Sequence, residues 1–212
     1  MKYILFDFDG TLANSAKVYI DAWNSFADKY KYLPITMEDL EEIRHLDNYS
    51  KAKKFHFPMH KLSIILPKIY RYFQEHANEV PLFDGVKEML ETLSSKGYSI
   101  FILSSNKREN IELVLNREDI HEVTDILSAK KMFGKDVVIK KFMKRYQLMP
   151  NEILYVGDEL RDIQACNKLG VPFMWASWGL DGFELIKKEK PKYVANTPKD
   201  MVSHLSKIPI PE

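Results

Sequence analysis

The sequence predicts an α/β fold: a mainly parallel sheet between two layers of helices, with a block of helices inserted after the first strand. Three observations carry that expectation. From Pro81 onward, short apolar runs alternate with amphipathic stretches, the pattern left by strands joined through crossover helices. Near the N-terminus, Tyr3 to Phe8 is an apolar run closing on Asp9-Gly10. It reads as a buried strand ending in a turn, too apolar to stand apart from the later strands. Between the two, residues 14–80 carry helical periodicity and no strand pattern. The expected architecture is therefore a Rossmann-like three-layer α/β/α core from residues 1–13 and 81–212, interrupted by an all-α unit at 14–80.

The elements follow in order. In the inserted block, Val18, Ala22, Phe26 and Tyr30 recur every four residues and make one apolar stripe. Thr36 precedes Met37-Glu38-Asp39-Leu40 as the N-cap of a second helix. A third helix spans Asn48 to Phe55 and stops before Pro58, and a fourth runs from about Ser63 to Ala77. Past Pro81-Leu82-Phe83-Asp84-Gly85 the rhythm changes. Val86 to Lys96 is helical until Gly97 breaks it, and Tyr98 to Leu103 is a strand. Helix Lys107 to Leu115 and a short strand Val123 to Leu127 follow. Lys135 to Tyr146 is a helix with Val138, Phe142 and Tyr146 on one stripe. Strand Ile153 to Val156 leads into helix Leu160 to Leu169. Strand Pro172 to Ala176, helix Gly182 to Lys188, strand Tyr193 to Ala195 and helix Lys199 to Leu205 complete the series.

Bulk properties exclude several function classes. The 212 residues, 45% apolar and 29% charged, suffice for one domain with an insert and a full core. Lys and Arg total 31 against 30 Asp and Glu. That balance lacks the basic excess that nucleic-acid or membrane-surface binding leaves, so neither partner is expected. Asp7 and Asp9 interrupt the apolar run Tyr3-Ile4-Leu5-Phe6 too early for a signal peptide, and no window approaches a membrane span. The single cysteine, Cys166, excludes an intrachain disulfide and fits a reducing compartment. A cytoplasmic monomer or homodimer is expected, with Cys166 a small buried thiol on a helix. The six histidines show no ligand spacing. Lys51-Ala52-Lys53-Lys54 reads as a solvated helix face, and Trp23, Trp175 and Trp178 as packing residues.

In such sheets ligands bind outside the carboxyl ends of the strands, so what each strand ends on matters. The first ends on Asp7-Phe8-Asp9-Gly10-Thr11, another on Ser104-Ser105-Asn106, and a later one on Gly157-Asp158-Glu159 with Asp162 following. Lys135 opens a helix after Gly134. Four polar clusters, far apart in sequence, converge on one rim. Asp7 and Asp9 are two apart, so on an extended strand they start from the same face.

These clusters, in this order, resemble the four signature motifs of the haloacid dehalogenase-like hydrolase superfamily. The helical insert is similar to the cap of its phosphoglycolate-phosphatase-like branch, whose members carry strings like Ser104-Ser105-Asn106, Phe133-Gly134-Lys135 and Trp178-Gly179. The resemblance implies a magnesium-dependent phosphatase acting on a small phosphorylated metabolite. It makes Asp7 the nucleophile, and Asp9 the acid that protonates the leaving alcohol and then the base that activates water. Lys135 neutralises the phosphoryl group, with Lys130 and Lys131 as competitors for that role. Magnesium takes Asp7, Asp158 and the Asp9 carbonyl as ligands. Glu159 and Asp162 hold a metal-bound water or Lys135, and Thr11 bonds into the loop. Ser104 donates its hydroxyl to the phosphate, with Ser105 the competitor, and the Ser105 and Asn106 amides add donors. Asp9 itself favours a phosphatase or a sugar phosphomutase within the superfamily. A non-catalytic phosphate-binding protein is the alternative from another class. Many relatives have an aspartate where this chain has Asn14.

Overall fold

The computed structural model describes residues 2–129 and 134–207. One sheet is built from β1 (Tyr3–Phe6), β2 (Ser99–Ser104), β3 (Val123–Ser128), β4 (Ile153–Gly157), β5 (Phe173–Ala176) and β6 (Tyr193–Ala195). The inserted block holds α1 (Ala16–Tyr30), α2 (Asp39–Ile43), α3 (Asn48–Lys54) and α4 (Leu62–Glu75). The core helices are α5 (Val86–Ser95), α6 (Arg108–Arg117), α7 (Lys135–Tyr146), α8 (Leu160–Asn167), α9 (Phe183–Ile186) and α10 (Pro198–Leu205). The strand order is β3-β2-β1-β4-β5-β6, with every pairing parallel.

β1 runs through the middle, Tyr3 lying between Ser99 of β2 and Ile153 of β4. A strand covered on both faces has no solvent side, which is why its sequence is a continuous apolar run. Ile4, Phe6, Ile100, Ile102, Leu154 and Val156 enter one core layer with α5, α6 and α10. Leu5, Phe101, Leu103, Tyr155 and Phe173 enter the opposite layer with α7, α8 and α9. The expected α/β/α layering is the observed one.

The inserted block packs a cluster of its own, Ala22, Ala27, Tyr32, Ala52, Phe57, Ile65 and Ile69. Trp23 stands between the rings of Tyr32 and Phe57, at 4.7 and 4.9 Å. A four-residue repeat outruns the helix by about 40° per step, so the α1 stripe rotates off its first target. Val18 belongs to the main core, Ala22 to the block's cluster, and Phe26 and Tyr30 are half-buried at its edge. Entry and exit of the block lie side by side: Ala13 bridges Leu82 in antiparallel fashion, and the Asn14 amide donates to the Pro81 carbonyl at 2.8 Å.

Three expectations shift. β1 ends at Phe6 rather than Phe8. The Asp7 amide still donates to Val156, but the Phe8 carbonyl then accepts amides of Thr11, Leu12 and Ala13, curling the chain off the sheet. α2 starts at Asp39, so Thr36 stands before its cap; the two still pair, the Thr36 amide donating to Asp39 Oδ2 at 2.8 Å. The stretch after Gly182 is helical only to Ile186 and tightens into a 3₁₀ turn over Lys187–Glu189.

Candidate active site

Chain order places β2 on one side of β1 and β4 on the other. The crevice between their carboxyl ends is where such sheets bind ligands. Asp7, Ser104 and Asp158 arrive there from β1, β2 and β4, and α7 delivers Lys135 from the opposite core layer.

The centre is an ammonium between two carboxylates. Lys135 Nζ lies 2.6 Å from Asp7 Oδ2 and 2.6 Å from Asp162 Oδ1, and all three side chains are almost fully buried. Asp7 Oδ1 also accepts the Phe8 amide at 2.8 Å. Asp158 is held by Thr11 Oγ1 on one oxygen and the Leu180 amide on the other, each at 2.8 Å. Two glycines press on it. A Cβ on Gly10, which has φ +81°, would lie 2.2 Å from Asp158 Oδ2, and one on Gly179 would lie 2.1 Å from Asp158 Cβ. Asp9 Oδ2 accepts from Asn106 Nδ2 at 3.1 Å, and Asn110 Nδ2 fixes the Asn106 oxygen at 2.9 Å.

Asp7, Asp158 and Asp162 each offer an oxygen within 4.8 Å of one another. Buried carboxylates so close repel, and the shifts report it. Burial, then the charges of Glu159, Asp7 and Asp162, push Asp158 well above the ordinary carboxylate value. Burial likewise pushes Asp162 up, against the pull of Lys135. Burial alone would lower Lys135, but Asp162 and Asp7 hold it above the usual lysine value. Burial and the neighbouring Asp7 raise Asp9 to about 7. Asp162 Oδ2 and Asp9 Oδ1 are buried without a hydrogen-bond partner among the described residues. An all-oxygen, acid-rich cluster with one ammonium fits a hard divalent cation.

Thus Asp7, Asp9, Thr11, Ser104, Asn106, Lys135, Asp158 and Asp162 are brought together at the carboxyl edge of the sheet. Ser104 is buried and its hydroxyl oxygen accepts the Asn106 amide at 3.0 Å, leaving its own proton to donate. Two readings need correcting. The Asn106 amide is spent on Ser104, so its side chain, not its backbone, serves the site. Glu159 turns to Arg161, whose Nε donates to it at 2.5 Å, rather than to Lys135. Ser105 is half-buried at the rim, lining a small cavity of about 30 Å³ with Tyr19 and Tyr70. Lys130, Lys131 and Phe133 lie outside the described residues. Sequence reasoning passed over Arg161, whose only local signal is a place on α8. It also passed over Asn110 and Leu180, whose contributions depend on packing or on backbone alone.

The model of haloacid dehalogenase-like hydrolases matches residues 4–176. The chain belongs to that family, an α/β hydrolase with its polar rim at the carboxyl edge of the sheet. Within it, the chain groups with the phosphoglycolate phosphatase-like members. It is 27% identical to a phosphoglycolate phosphatase of Synechococcus elongatus over 98% of this chain and 99% of that one. A pyrophosphatase PpaX of Bacillus mycoides is 26% identical, with 97% of each covered. Among solved structures, a haloacid dehalogenase-like hydrolase of Streptococcus pneumoniae superposes with a TM-score of 0.81 at 20% identity, over 97% of this chain and 98% of that one. A predicted phosphoglycolate phosphatase of Haemophilus somnus gives 0.77 at 21% identity, over 97% and 98%. Among the described residues, no helix is long and apolar enough to cross a membrane.

Proposed function

We propose that this chain is a magnesium-dependent phosphatase that hydrolyses a small phosphorylated metabolite, a phosphoglycolate-like phosphate monoester, through an aspartyl-phosphate on Asp7. The observation that carries the reading is the buried Asp7–Lys135–Asp162 array, with Asp158 and Asp9 beside it at the carboxyl edge of the sheet. Asp7 and Asp158, with the Asp9 carbonyl, are the groups that would hold magnesium. Asp162 is a further carboxylate within reach. The ion, when bound, offsets the carboxylate charge and that of the incoming phosphate.

In the first step an Asp7 carboxylate oxygen bonds to phosphorus while the ester P–O bond breaks, and the leaving oxygen takes the Asp9 proton. A carboxyl raised to about 7 still carries that proton near neutrality. Lys135, fixed by Asp162, faces the developing phosphoryl charge, and the Ser104 hydroxyl donates to a phosphoryl oxygen. In the second step water attacks phosphorus, gives a proton to Asp9, and the bond to Asp7 breaks, releasing orthophosphate. Residues 14–80 act as a cap domain over the 1–13 and 81–212 core, excluding water during transfer. The single buried thiol suits a cytoplasmic enzyme.

The test is phosphate release from p-nitrophenyl phosphate, phosphoglycolate and inorganic pyrophosphate, with magnesium against EDTA. Turnover should require magnesium and fall by roughly 10³-fold or more in Asp7→Asn, as when a nucleophile is removed. An Asp7→Asn variant with wild-type turnover would refute the covalent route. Phosphoenzyme that accumulates with a hexose phosphate and passes its group on to sugar rather than water would point to the phosphomutase instead.

A further inference from the structure

The loop between β5 and α9 touches both the inserted helices and the carboxylate at the end of β4. The chemistry outlined above does not use the side chains that grip it from the helical side. Arg44 follows α2 and reaches across to the core, where its Nη2 donates to the carbonyls of Ser177 at 2.8 Å and Gly179 at 3.1 Å. Its own carbonyl accepts the Gly182 amide at 2.7 Å. A Cβ on Gly182 would lie 2.4 Å from His45 Nδ1, so the Arg44-His45 turn rests directly on the loop backbone. Lys51 adds a bond to Asp181 at 3.1 Å, and the other Asp181 oxygen accepts the Leu160 amide at the head of α8.

From its other side the same loop sets the acidic site. The Leu180 amide holds Asp158 Oδ2, and the Gly179 backbone packs on the Asp158 side chain. Trp178 Nε1 donates to the Thr11 carbonyl at 3.0 Å, and Thr11 Oγ1 donates to Asp158 Oδ1. Both oxygens of Asp158 are therefore oriented, directly or through Thr11, by a segment whose carbonyls Arg44 clasps.

We propose that Arg44 is a positioning residue for metal binding, coupling the seating of the helical block on the core to the geometry of Asp158. The inference rests on the metal reading given above. The two N–H groups of Nη2 lie in the fixed guanidinium plane and serve both carbonyls, and the group stays charged in this half-buried setting. Its contact with Glu41, at 3.5 Å and with the carboxylate 81% exposed, contributes little. The carbonyls of the loop are its main partners. Losing them frees the Leu180 amide to drift from Asp158, which weakens a charge-assisted hydrogen bond on a buried carboxylate. Coupling of this kind is reciprocal: metal binding must tighten the seating by the factor that seating adds to metal affinity.

The experiment titrates magnesium into the full chain by calorimetry, without substrate, comparing wild type, Arg44→Gln and Arg71→Gln. Arg71 is 81% exposed and pairs with Glu75 one turn away, so it controls for loss of a cationic charge in the block. Arg44→Gln should weaken magnesium binding about tenfold, within the usual range of such couplings, and Arg71→Gln should stay within twofold. In wild type, hydrogen exchange at the Gly182 amide should slow about tenfold when magnesium saturates the site. A cooperatively melting Arg44→Gln chain with unchanged affinity overturns the coupling. So does a Gly182 exchange rate indifferent to magnesium, and that measurement decides alone if Arg44→Gln does not fold. A wild-type chain that binds no magnesium overturns the metal reading itself, and the coupling with it.

Discussion

Replacing Lys135 by methionine tests the centre of the site, because the structure allows its structural and chemical roles to be separated. The ammonium is buried between Asp7 and Asp162, 2.6 Å from each. Removing it leaves two buried carboxylates uncompensated. Breaking a buried charge pair this way costs about 3–5 kcal/mol, which for a chain of this size lowers the melting temperature by roughly 6–20 °C. The loss depends on pH with a fixed sign. Asp162 is already raised by burial, so without Lys135 the folded state binds more protons than the unfolded one. Stability of the variant therefore falls as pH rises and recovers on acidification. In the double variant Lys135→Met/Asp162→Asn one negative charge leaves with the positive one. Its melting temperature should return most of the way to wild type at pH 8. Turnover should not return, since the ammonium that faced the developing phosphoryl charge is still missing; both variants should lose about 10²–10³-fold in kcat. Calorimetric melts across pH 6–8 and magnesium-saturated phosphate release are the assays. The reasoning fails if Lys135→Met keeps kcat within tenfold of wild type. It fails equally if the double variant regains turnover along with stability.

Three further outcomes follow from the same geometry. Magnesium at one hundred times its dissociation constant should stabilise the fold by about 2.7 kcal/mol, read as a rise in melting temperature that Asp158→Asn abolishes. Gly179→Ala would set a methyl 2.1 Å from Asp158 Cβ. Overpacking there should cost about 1–3 kcal/mol and weaken magnesium binding, and an unchanged calorimetric affinity would show that Asp158 has room to move. Asn106→Leu removes the donor that lowers the Asp9 carboxyl, so Asp9 should titrate above its present value of about 7. Because the first step consumes the Asp9 proton, the alkaline limb of kcat/KM should move to higher pH, and a limb that stays or moves down would remove Asp9 from the acid role.

How much of this was legible in the sequence depends on the range of the interaction behind each feature. Asp7, Ser104, Lys135 and Asp158 stand out because each closes an apolar run or opens a helix, and a parallel sheet brings all such ends to one edge by topology alone. No knowledge of side-chain packing is needed for that. The end of β1 was harder. An apolar run continues through Phe8, but the strand stops where the Phe8 carbonyl gathers three amides into a loop. That choice is made by hydrogen-bond competition, which hydrophobic periodicity does not register.

Asn106 marks the same boundary from the other side. As the residue before a helix it reads as an amide donor, yet its amide is taken by Ser104 Oγ two residues back, and its side chain is the part that reaches Asp9. The contacts that tie the helical block to the site are more remote still. Arg44 to Ser177 and Lys51 to Asp181 span more than half the chain, and their existence depends on the angle at which the block docks. Lys51 sits in a basic run that reads as a solvated face, and Lys53 within it is exposed; only docking separates the two. A glycine is the one trace such docking leaves in sequence. Gly179 and Gly182 stand where another side chain, Asp158 or His45, approaches too closely for any Cβ. Read with the Trp178-Gly179 string, those two positions mark the loop as a surface pressed from both sides, which is the property the Arg44 clasp requires.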